Sequence, residues 1–482
     1  MTYTKKVAYN TAAQMVGRVI LVGISLVTVG VLTRQLGVGN FGRYTTVLAY
    51  IGFFGIFADL GFFYILVREL SIDPKNSQKI TSNVLGIRAC GAFLFYGLGI
   101  LIALAIPSYD QLTKYAIMIG ALGFFWQTLQ NTITAVFQVN YRMDKAVISD
   151  IVSRAITLAV VLWFFYLGKG LIFVMLAYLI GSLANFLMAY WLAQKYVKIS
   201  FAFDLKMWKN LMVKALPMGI AIILHFVYFR VDALMLSWMK GPEHVGIYGP
   251  SYKILEVMLM MPAIFISSVL PVYSRYIAKH DDRLKTAVQK SFDFLAIATV
   301  PMVVGIFILA TPIVRLIAGD EYLHTGFVYF GGILANSAVT LKILIFAALA
   351  SALAQSFSQL LVAGGYQKKL ILPSVLFVLV NIVLNVIFIP KYSYVAAAFT
   401  TIVTETLVLI TIVWLAKRTF NTLPHITRFL KALFSSLVMA LAINHLIDSN
   451  VFIAVAIGAL VYLSVMWLIR GIGKEMLVQF KN

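Results

Sequence analysis

The sequence predicts an all-α polytopic membrane protein with about 14 transmembrane helices. Hydrophobic residues make up 61% of the chain and charged residues only 12%, whereas an ordinary soluble domain has about 25% charged residues. Its apolar runs repeatedly reach the roughly 20 residues that cross a bilayer as a helix. They lack the two-residue alternation of a membrane barrel, and a spanning helix satisfies its own backbone hydrogen bonds.

Fourteen apolar runs follow one another along the chain. They lie at 10–33, 44–67, 81–105, 115–138, 148–167, 171–193, 213–238, 247–273, 289–310, 341–363, 371–389, 393–415, 428–446 and 451–469. The stretch 326–340 is expected to form an outer interfacial helix that leads into the tenth run. Nothing after the first run resembles a cleavage site, so that run is expected to remain as the first span.

The positions of lysine and arginine support this layout. Of the 39 such residues, 27 are assigned to one predicted side, Arg88 among them, while 7 are assigned to the other side and 5 lie deep inside spans. Because lysine and arginine collect in cytoplasmic loops during insertion, both termini are predicted to be cytoplasmic. The same bias explains the net charge of +21 without a nucleic-acid partner.

The predicted outer loops are short, which argues against an enzyme that works at the outer surface. The sequence contains no nucleophile elbow, phosphate-binding glycine loop or pair of metal ligands. It therefore predicts no catalytic residue, no metal site and no cofactor. A single cysteine, Cys90, excludes an intrachain disulfide and a thiolate metal cluster.

A short turn occurs twice in the sequence. The first copy reads Gly37-Val-Gly-Asn-Phe-Gly42-Arg-Tyr44, and the second reads Gly241-Pro-Glu-His-Val-Gly246-Ile-Tyr248. Both copies follow one apolar run and open the next, and both have two glycines and a tyrosine at the same spacing. This repetition predicts an internal duplication. Together with ionisable residues inside the spans, it indicates a transporter.

Several segments, in this order, resemble the polysaccharide-transporter branch of the multidrug/oligosaccharidyl-lipid/polysaccharide exporter superfamily, which contains the oligosaccharide repeat-unit flippases. The matching segments are 32–37 with 41–44, 58–61 with 67–69, 229–232 with 245–248 and Pro271, Gly319 with Tyr322, 364–368, and Asn381 and Asn385 before 389–390. The resemblance implies two pseudo-symmetric six-helix lobes plus two C-terminal helices, with a central cavity that opens alternately to either side. The implied cargo is a glycan on a polyprenyl pyrophosphate, moved from the inner to the outer leaflet of the cell membrane.

The resemblance also implies a domain plan. Residues 1–194 would form the first lobe, 195–212 a basic cytoplasmic linker, 213–416 the second lobe, and 417–482 helices 13 and 14 with a cytoplasmic tail. The implied partners are the lipid-linked oligosaccharide, membrane lipids, and polysaccharide polymerases and glycosyltransferases. Transport of this kind needs no cofactor, although it can be coupled to a proton or sodium gradient.

Nine ionisable residues inside the predicted spans are candidates for the transport site. The cations are Arg18, Arg154, Arg230, Lys253 and Lys342, and the acids are Asp59, Asp232, Glu256 and Glu405. Each costs a few kcal/mol at the bilayer centre unless it meets a partner or water. Arg230 is the first candidate for the pyrophosphate, because guanidinium binds phosphate oxygens in a bidentate way. Arg18 and Arg154 lie toward the cytoplasmic ends of their spans, where they could load the headgroup or extend to the interface.

The four acids have two interpretations. A buried carboxylate can couple transport to an ion gradient by changing its protonation, or it can form a structural ion pair. Lys253 and Glu256 lie three residues apart on one helix, and pairs of Arg230 with Glu256 and of Asp232 with Lys253 are available across the turn.

Three other functions stay open at this point. They are a cation-coupled multidrug exporter of the same superfamily, a flippase for the peptidoglycan precursor, and a membrane-embedded glycan-assembly enzyme. The excess of cations over acids among the nine residues favours an anionic cargo.

Overall fold

The computed structural model describes residues 3–329, 333–447 and 450–471, and these residues form long helices with one short hairpin of strands. The elements in chain order are α1 (Tyr3–Asp59), α2 (Phe62–Ile72), a 3₁₀ turn (Pro74–Asn76), α3 (Ser77–Ala105), α4 (Gln111–Val139), α5 (Met143–Tyr166), α6 (Leu171–Ala193), α7 (Leu205–Lys240), α8 (Pro242–Ala278), α9 (Arg283–Ile308), α10 (Ala310–Ala318), α11 (Glu321–His324), β1 (Phe327–Tyr329), β2 (Ile333–Ala335), α12 (Ser337–Ala363), α13 (Lys368–Phe420), α14 (Thr427–Asn444) and α15 (Val451–Leu468).

The predicted all-α membrane fold is confirmed. Ten helical segments among the described residues are long and apolar enough to cross a membrane. Two of the longest helices contain a backbone break, α1 at Gly37 and α13 at Ser393, so each covers two of the predicted spans. Helices α4 and α7 cover the fourth and seventh predicted spans but are not among the ten. The count of 14 transmembrane helices therefore stays a prediction.

The expected interfacial helix at 326–340 is wrong in its first part. Residues Phe327–Tyr329 and Ile333–Ala335 form an antiparallel pair of strands, and α12 begins only at Ser337. The run Phe-Val-Tyr-Phe before two glycines is rich in the aromatic and β-branched residues that favour strands. The hydroxyl of Tyr394 accepts a hydrogen bond from the Phe327 amide (3.1 Å) and donates one to the Ala335 carbonyl, so it closes the hairpin.

Packing divides the chain into two compact units, one ending at Gly246 and the next beginning at Ile247. The first unit has a core of fully buried side chains from α2, α3 and α4, with Leu66, Leu85 and Leu129 at its centre. The second has its core around Tyr273, Leu295 and Leu360. This division places α7 with the first unit, and the lobes implied by the resemblance stay a prediction.

Helix α7 begins inside the segment predicted as a linker. Its first residue is Leu205 because the Asp204 side chain caps the helix by accepting a hydrogen bond from the Met207 amide (3.1 Å). The segment before it is held on α3, where Asn83 accepts hydrogen bonds from the Asp204 amide (2.9 Å) and the Trp208 indole (3.1 Å). The second half of the predicted linker is thus fixed to the first unit.

The two copies of the repeated turn have the same backbone conformation. Gly37 has φ 68° and ψ 174°, and Gly241 has φ 91° and ψ 177°, a left-handed region that favours glycine. The second glycines of the two copies bring the turns into contact within the first unit. A methyl group at Gly42 would overlap the Pro242 carbonyl, and one at Gly246 would overlap the Val38 carbonyl.

Substituting either of these glycines is expected to destabilise the protein. We expect Gly42→Ala and Gly246→Ala each to lower the free energy of unfolding by about 1–3 kcal/mol, because backbone must move to admit the methyl group. Gly97→Ala in α3 is the control, since nothing lies within 4 Å of the added methyl; it should be neutral or slightly stabilising. Equal effects of all three in detergent unfolding would contradict contact between the turns.

The first turn is tied to the start of α4 through Asp110. This N-cap residue accepts hydrogen bonds from the Thr113 amide (3.0 Å) and from Arg43 Nε (2.9 Å) and Nη2 (2.7 Å). Burial by itself raises the pKa of Asp110, but the bonds from Arg43 and Thr113 outweigh it and hold the pKa below its ordinary value. Arg43 therefore stabilises the fold by linking the first turn to the start of α4.

Asp110→Ala is expected to cost about 1 kcal/mol of stability, the usual value of a lost N-cap. Because the folded pKa is lowered, the carboxylate stabilises the protein above the unfolded pKa of about 3.9 and loses this effect as the pH falls through the folded pKa. The difference in melting temperature between the wild type and Asp110→Ala should be constant from pH 8 to pH 5 and shrink below pH 4. A difference that grows below pH 4 would contradict this role.

Candidate functional site

The nine predicted residues are distributed over both units. Arg18, Asp59, Arg154, Arg230 and Asp232 belong to the first unit, and Lys253, Glu256, Lys342 and Glu405 belong to the second. Asp232 and Glu405 are almost fully buried, at 3% and 5% exposure, and neither is without an interaction partner. Because a buried charge is costly in a membrane, these interactions are expected to be part of the folded state.

In the second unit, Lys253 and Glu256 contact each other. Their side chains lie 3.0 Å apart within α8, and both remain partly exposed. Lys342 lies with its ammonium 5.7 Å from the Phe307 ring centroid, a distance at which a cation is attracted to an aromatic face. The predicted pairs across the turn, Arg230 with Glu256 and Asp232 with Lys253, stay predictions because the two members of each belong to different units.

The paired asparagines of α13 hold its two arms together. The Asn385 amide donates to the Asn381 carbonyl oxygen (2.9 Å), and Asn385 in turn accepts from the Thr400 hydroxyl (2.6 Å). Asn381 also donates to Thr404 (3.4 Å), which precedes the buried Glu405. Bonds of this kind between helices satisfy polar groups inside a membrane protein, so these asparagines are structural.

One buried cation was misplaced by the sequence analysis. Arg88 was assigned to a cytoplasmic loop, but it is fully buried in α3. Its guanidinium contacts the carboxylate of Asp59 and has no other hydrogen-bond partner in the described part of the chain. Asp59 is thereby explained as the counterion of Arg88. The signal was available, because position 88 lies inside the predicted run 81–105.

Arg154 lies in a cluster of polar side chains inside the first unit, which we call the first-unit polar cluster. Its members are Tyr44 of α1, Gln127 and Gln130 of α4, Asp150 and Arg154 of α5, and Tyr178 and Asn185 of α6. Asn185 donates to Asp150 (3.0 Å), and Gln130 approaches the same carboxylate oxygen at 3.5 Å. Tyr178 donates to Gln127 (2.6 Å).

The Arg154 side chain is exposed and lies one turn after Asp150 on α5, in the neighbourhood of Tyr44 and Tyr178. The cluster thus combines a guanidinium with hydroxyl and amide groups that can both donate and accept hydrogen bonds. Such a set can hold a phosphate on the arginine and sugar hydroxyls on the neighbouring groups. Asp150 was not among the site candidates although it lies inside the predicted run 148–167, because it stands only two residues after the start of that run.

Small residues position this cluster. A Cβ at Gly123 would lie 2.6 Å from the Tyr178 ring, and one at Gly181 would overlap the Thr157 hydroxyl. Ser153 donates to the Gly181 carbonyl (2.8 Å). Close approach through glycine and serine is the usual way in which membrane helices pack, and here it brings α4, α5 and α6 together around the polar side chains.

Arg18 lies near the same helices. Its neighbour Gly17 packs on Val147 of α5, seven residues or roughly 10 Å along the helix from Arg154. Arg18 is exposed, and no carboxylate lies within 4.0 Å of it in the part of the chain that the structure describes. The described residues contain no group of three or more potential metal ligands.

Two family comparisons match the chain. The family described as "Polysaccharide biosynthesis protein" matches residues 4–277, and the MatE family matches residues 217–387. A Shigella flexneri protein named "Putative O-antigen transporter" is 22% identical over 324 residues, covering 65% of this chain and 77% of that protein.

Solved structures share the fold. The lipid II flippase MurJ in an inward closed conformation aligns with a TM-score of 0.76 at 17% identity, covering 96% of this chain and 98% of that one. An inward-facing multidrug resistance MATE family transporter aligns with a TM-score of 0.67 at 12% identity, covering 83% and 94%. The family match covers more than half of the chain, and the resemblance found in the sequence is confirmed. The chain belongs to the polysaccharide biosynthesis protein family, within the multidrug/oligosaccharidyl-lipid/polysaccharide exporter superfamily.

Proposed function

We propose that the protein is a flippase that moves polyprenyl-pyrophosphate-linked oligosaccharide repeat units from the cytoplasmic to the outer leaflet by alternating access. The observation that carries this proposal is the first-unit polar cluster, in which Arg154 stands among hydroxyl and amide side chains. This chemistry suits a cargo that has both phosphate and sugar hydroxyls. The family match over residues 4–277 and the likeness to the Shigella protein support the same class of cargo.

In this proposal Arg18, Arg154 and Arg230 bind the pyrophosphate at successive stages. Arg18 and Arg154 are exposed on helices whose starts the charge distribution predicts to be cytoplasmic, so they meet the headgroup first. Lys253 and Lys342 add positive charge in the second unit, although each already has a neighbour, Glu256 and Phe307 respectively. Their roles are therefore secondary to those of the exposed Arg18 and Arg154.

Coupling to an ion gradient is assigned here to the buried acids other than Asp59. Asp59 is committed to Arg88, whose guanidinium has no other partner in the described residues. Asp232 and Glu405 are nearly inaccessible to solvent and could change protonation only when their surroundings open. Whether Asp232 or Glu405 couples transport, the coupling ion is a proton or sodium. The identity of this ion does not change the proposed cargo.

A cation-coupled multidrug exporter is the second candidate function. The MatE family match over residues 217–387 favours it, but that match covers a smaller part of the chain than the polysaccharide biosynthesis family does. An exporter of cationic drugs would need a net acidic site, whereas the first-unit polar cluster has one acid and one arginine. A flippase for the peptidoglycan precursor would use the same chemistry with another glycan.

The test is transport in proteoliposomes. Purified protein would be reconstituted with a fluorescent polyprenyl-pyrophosphate oligosaccharide, and its arrival in the opposite leaflet would be measured by quenching. We expect Arg18→Ala and Arg230→Ala each to abolish transport while the variants still insert. Efflux of cationic dyes by the wild type, with no movement of the labelled glycolipid, would support the multidrug exporter. Full activity of both variants would remove the arginine mechanism.

The proposed setting is the cell membrane, with both termini in the cytoplasm. The cargo is made there by glycosyltransferases and used on the outer side by a polymerase, which makes these enzymes the expected functional neighbours. Cysteine labelling from either side of the membrane at the exposed Lys169 and Lys285 positions would fix the orientation, because these residues lie on opposite predicted sides.

A further inference from the structure

A groove lies between α8 and α9 at the end that the charge distribution predicts to be cytoplasmic. Its volume is about 400 Å³. The walls are Phe265, Val269 and Tyr276 of α8 with Ala287, Lys290 and Phe294 of α9. None of these residues was a site candidate in the sequence, and the groove lies wholly within the second unit.

The two ends of the groove differ in chemistry. The deep end is closed by the rings of Phe265 and Phe294, which stack with centroids 4.0 Å apart. The mouth carries Tyr276, with the Arg283 guanidinium 5.2 Å from its ring centroid. From Phe265 to Tyr276 the α8 wall runs for about 16 Å, which is close to the thickness of one leaflet of the roughly 30 Å hydrocarbon core.

Lys290 is the unpaired cation of this groove. It is half-buried, and no carboxylate oxygen lies within 4.0 Å of its ammonium among the described residues. The nearest acid along the helix, Asp293, is already engaged by Arg428 (3.1 Å) and Gln289 (2.8 Å). Arg283 is engaged as well, because it pairs with Asp281 (2.6 Å).

We propose that this groove binds an anionic phospholipid of the inner leaflet, with one acyl chain between α8 and α9 and the phosphate on Lys290. The apolar wall between the mouth and the stacked rings of Phe265 and Phe294 takes up the first part of an acyl chain. The Lys290 ammonium reaches the phosphate by extending from α9 toward the mouth, and its single charge matches that of a phosphodiester headgroup. A glycan-bearing pyrophosphate carrier would bring more negative charge than Lys290 alone compensates. Tyr276 and Thr286, which also line the groove, have hydroxyls that can donate further hydrogen bonds to the phosphate.

The test measures lipid-dependent stability of the purified, delipidated protein. Phosphatidylglycerol and phosphatidylcholine with the same acyl chains would be titrated, and the rise in melting temperature would give an apparent affinity for each. We expect phosphatidylglycerol to stabilise more strongly. Lys290→Gln should weaken the apparent affinity for phosphatidylglycerol about five-fold, the effect of one lysine near an anionic headgroup, and leave that for phosphatidylcholine unchanged.

Lys285→Gln is the matched control. Lys285 is exposed on the same helix, is not part of the groove, and carries the same charge, so its removal should not change the titration. A groove-filling variant, Ala287→Phe, should weaken binding of both lipids. Equal stabilisation by the two lipids, or an equal loss with Lys285→Gln and Lys290→Gln, would overturn the proposal.

Two further probes separate this site from its rivals. Glycerol 3-phosphate has the headgroup phosphate without acyl chains and should not stabilise the protein; if it does so as well as the phospholipid, the site is for free phosphate. Polyprenyl phosphate should not displace phosphatidylglycerol. If it displaces the phospholipid at a lower concentration, the groove belongs to the carrier lipid and the proposal is wrong.

Discussion

Asp59→Asn is expected to destabilise the protein by about 3–5 kcal/mol, the cost of leaving a buried charge without its partner. The charge is the guanidinium of Arg88, which is fully buried and contacts only Asp59 among the polar groups of the described residues. Asparagine keeps the shape of the side chain and removes its charge. The free energy of unfolding, measured by titrating mixed micelles with a denaturing detergent, should show the loss.

The two members of this pair are expected to respond unequally. Asp59 is 28% exposed, so after Arg88→Met its carboxylate can still be hydrated, and the cost should be smaller than that of Asp59→Asn. The double variant should recover much of the stability, because replacing both charges is often neutral. Glu69→Gln is the control: it breaks a partly exposed pair with Lys214 (2.8 Å) and should cost less than about 1 kcal/mol.

A loss below about 1 kcal/mol for Asp59→Asn, equal to that of the control, would show that Arg88 is hydrated in the membrane. The pair would then be free to take part in transport, and the assignment of ion coupling to the other acids would have to be revised. Stability and transport must therefore be measured on the same preparations.

Arg154→Ala is expected to lower the initial rate of glycolipid transport by about ten-fold or more. A hydrogen bond to a charged group contributes about 1.5–3 kcal/mol, and about 1.4 kcal/mol is a factor of ten. Arg154 is exposed and forms no ion pair within 4.0 Å in the described residues, so its loss should affect binding more than folding. Arg154→Lys should be intermediate, since lysine keeps the charge but cannot form a bidentate bond.

The control for this prediction is Lys169→Gln. Lys169 is an exposed cation in the loop after α5 and its ammonium lies 5.2 Å from the Phe173 ring centroid, away from the first-unit polar cluster. Its loss should leave the initial rate within two-fold of the wild type, a difference of roughly 0.4 kcal/mol. Wild-type rates with Arg154→Ala, at equal amounts of inserted protein, would show that the cluster does not bind the cargo.

Helices, breaks and the repeated turn could be predicted from the sequence because each has a local signal. Runs of apolar residues gave the helices, and the equal spacing of glycines gave two turns whose backbone angles agree. The hairpin at Phe327–Tyr329 was missed because its apolar run is too short for periodicity to separate a strand from a helix. Its stabilising contact comes from Tyr394, 67 residues further along the chain.

The candidate site was harder to predict than the helices. Arg18, Arg154 and Asp59 were found as ionisable residues inside spans, which needs only hydropathy. The partner of Asp59 was not found, because it comes from another helix: it is Arg88 of α3. Asp150 was missed together with its partner, Asn185 of α6. The count of loop charges assigned Arg88 to the cytoplasmic side because it is basic, and that count took no account of its position inside a predicted span. Pairing is a property of the packed bundle, and a single sequence has no direct signal for it.

The contact between Gly42 and Gly246 has a consequence for how this chain can change over time. The space that a side chain at either glycine would need is filled by the backbone of the other turn, so neither turn can acquire a side chain there alone. A larger residue in one copy would be viable only beside a remodelled backbone in the other. The two turns can therefore change at these positions only together.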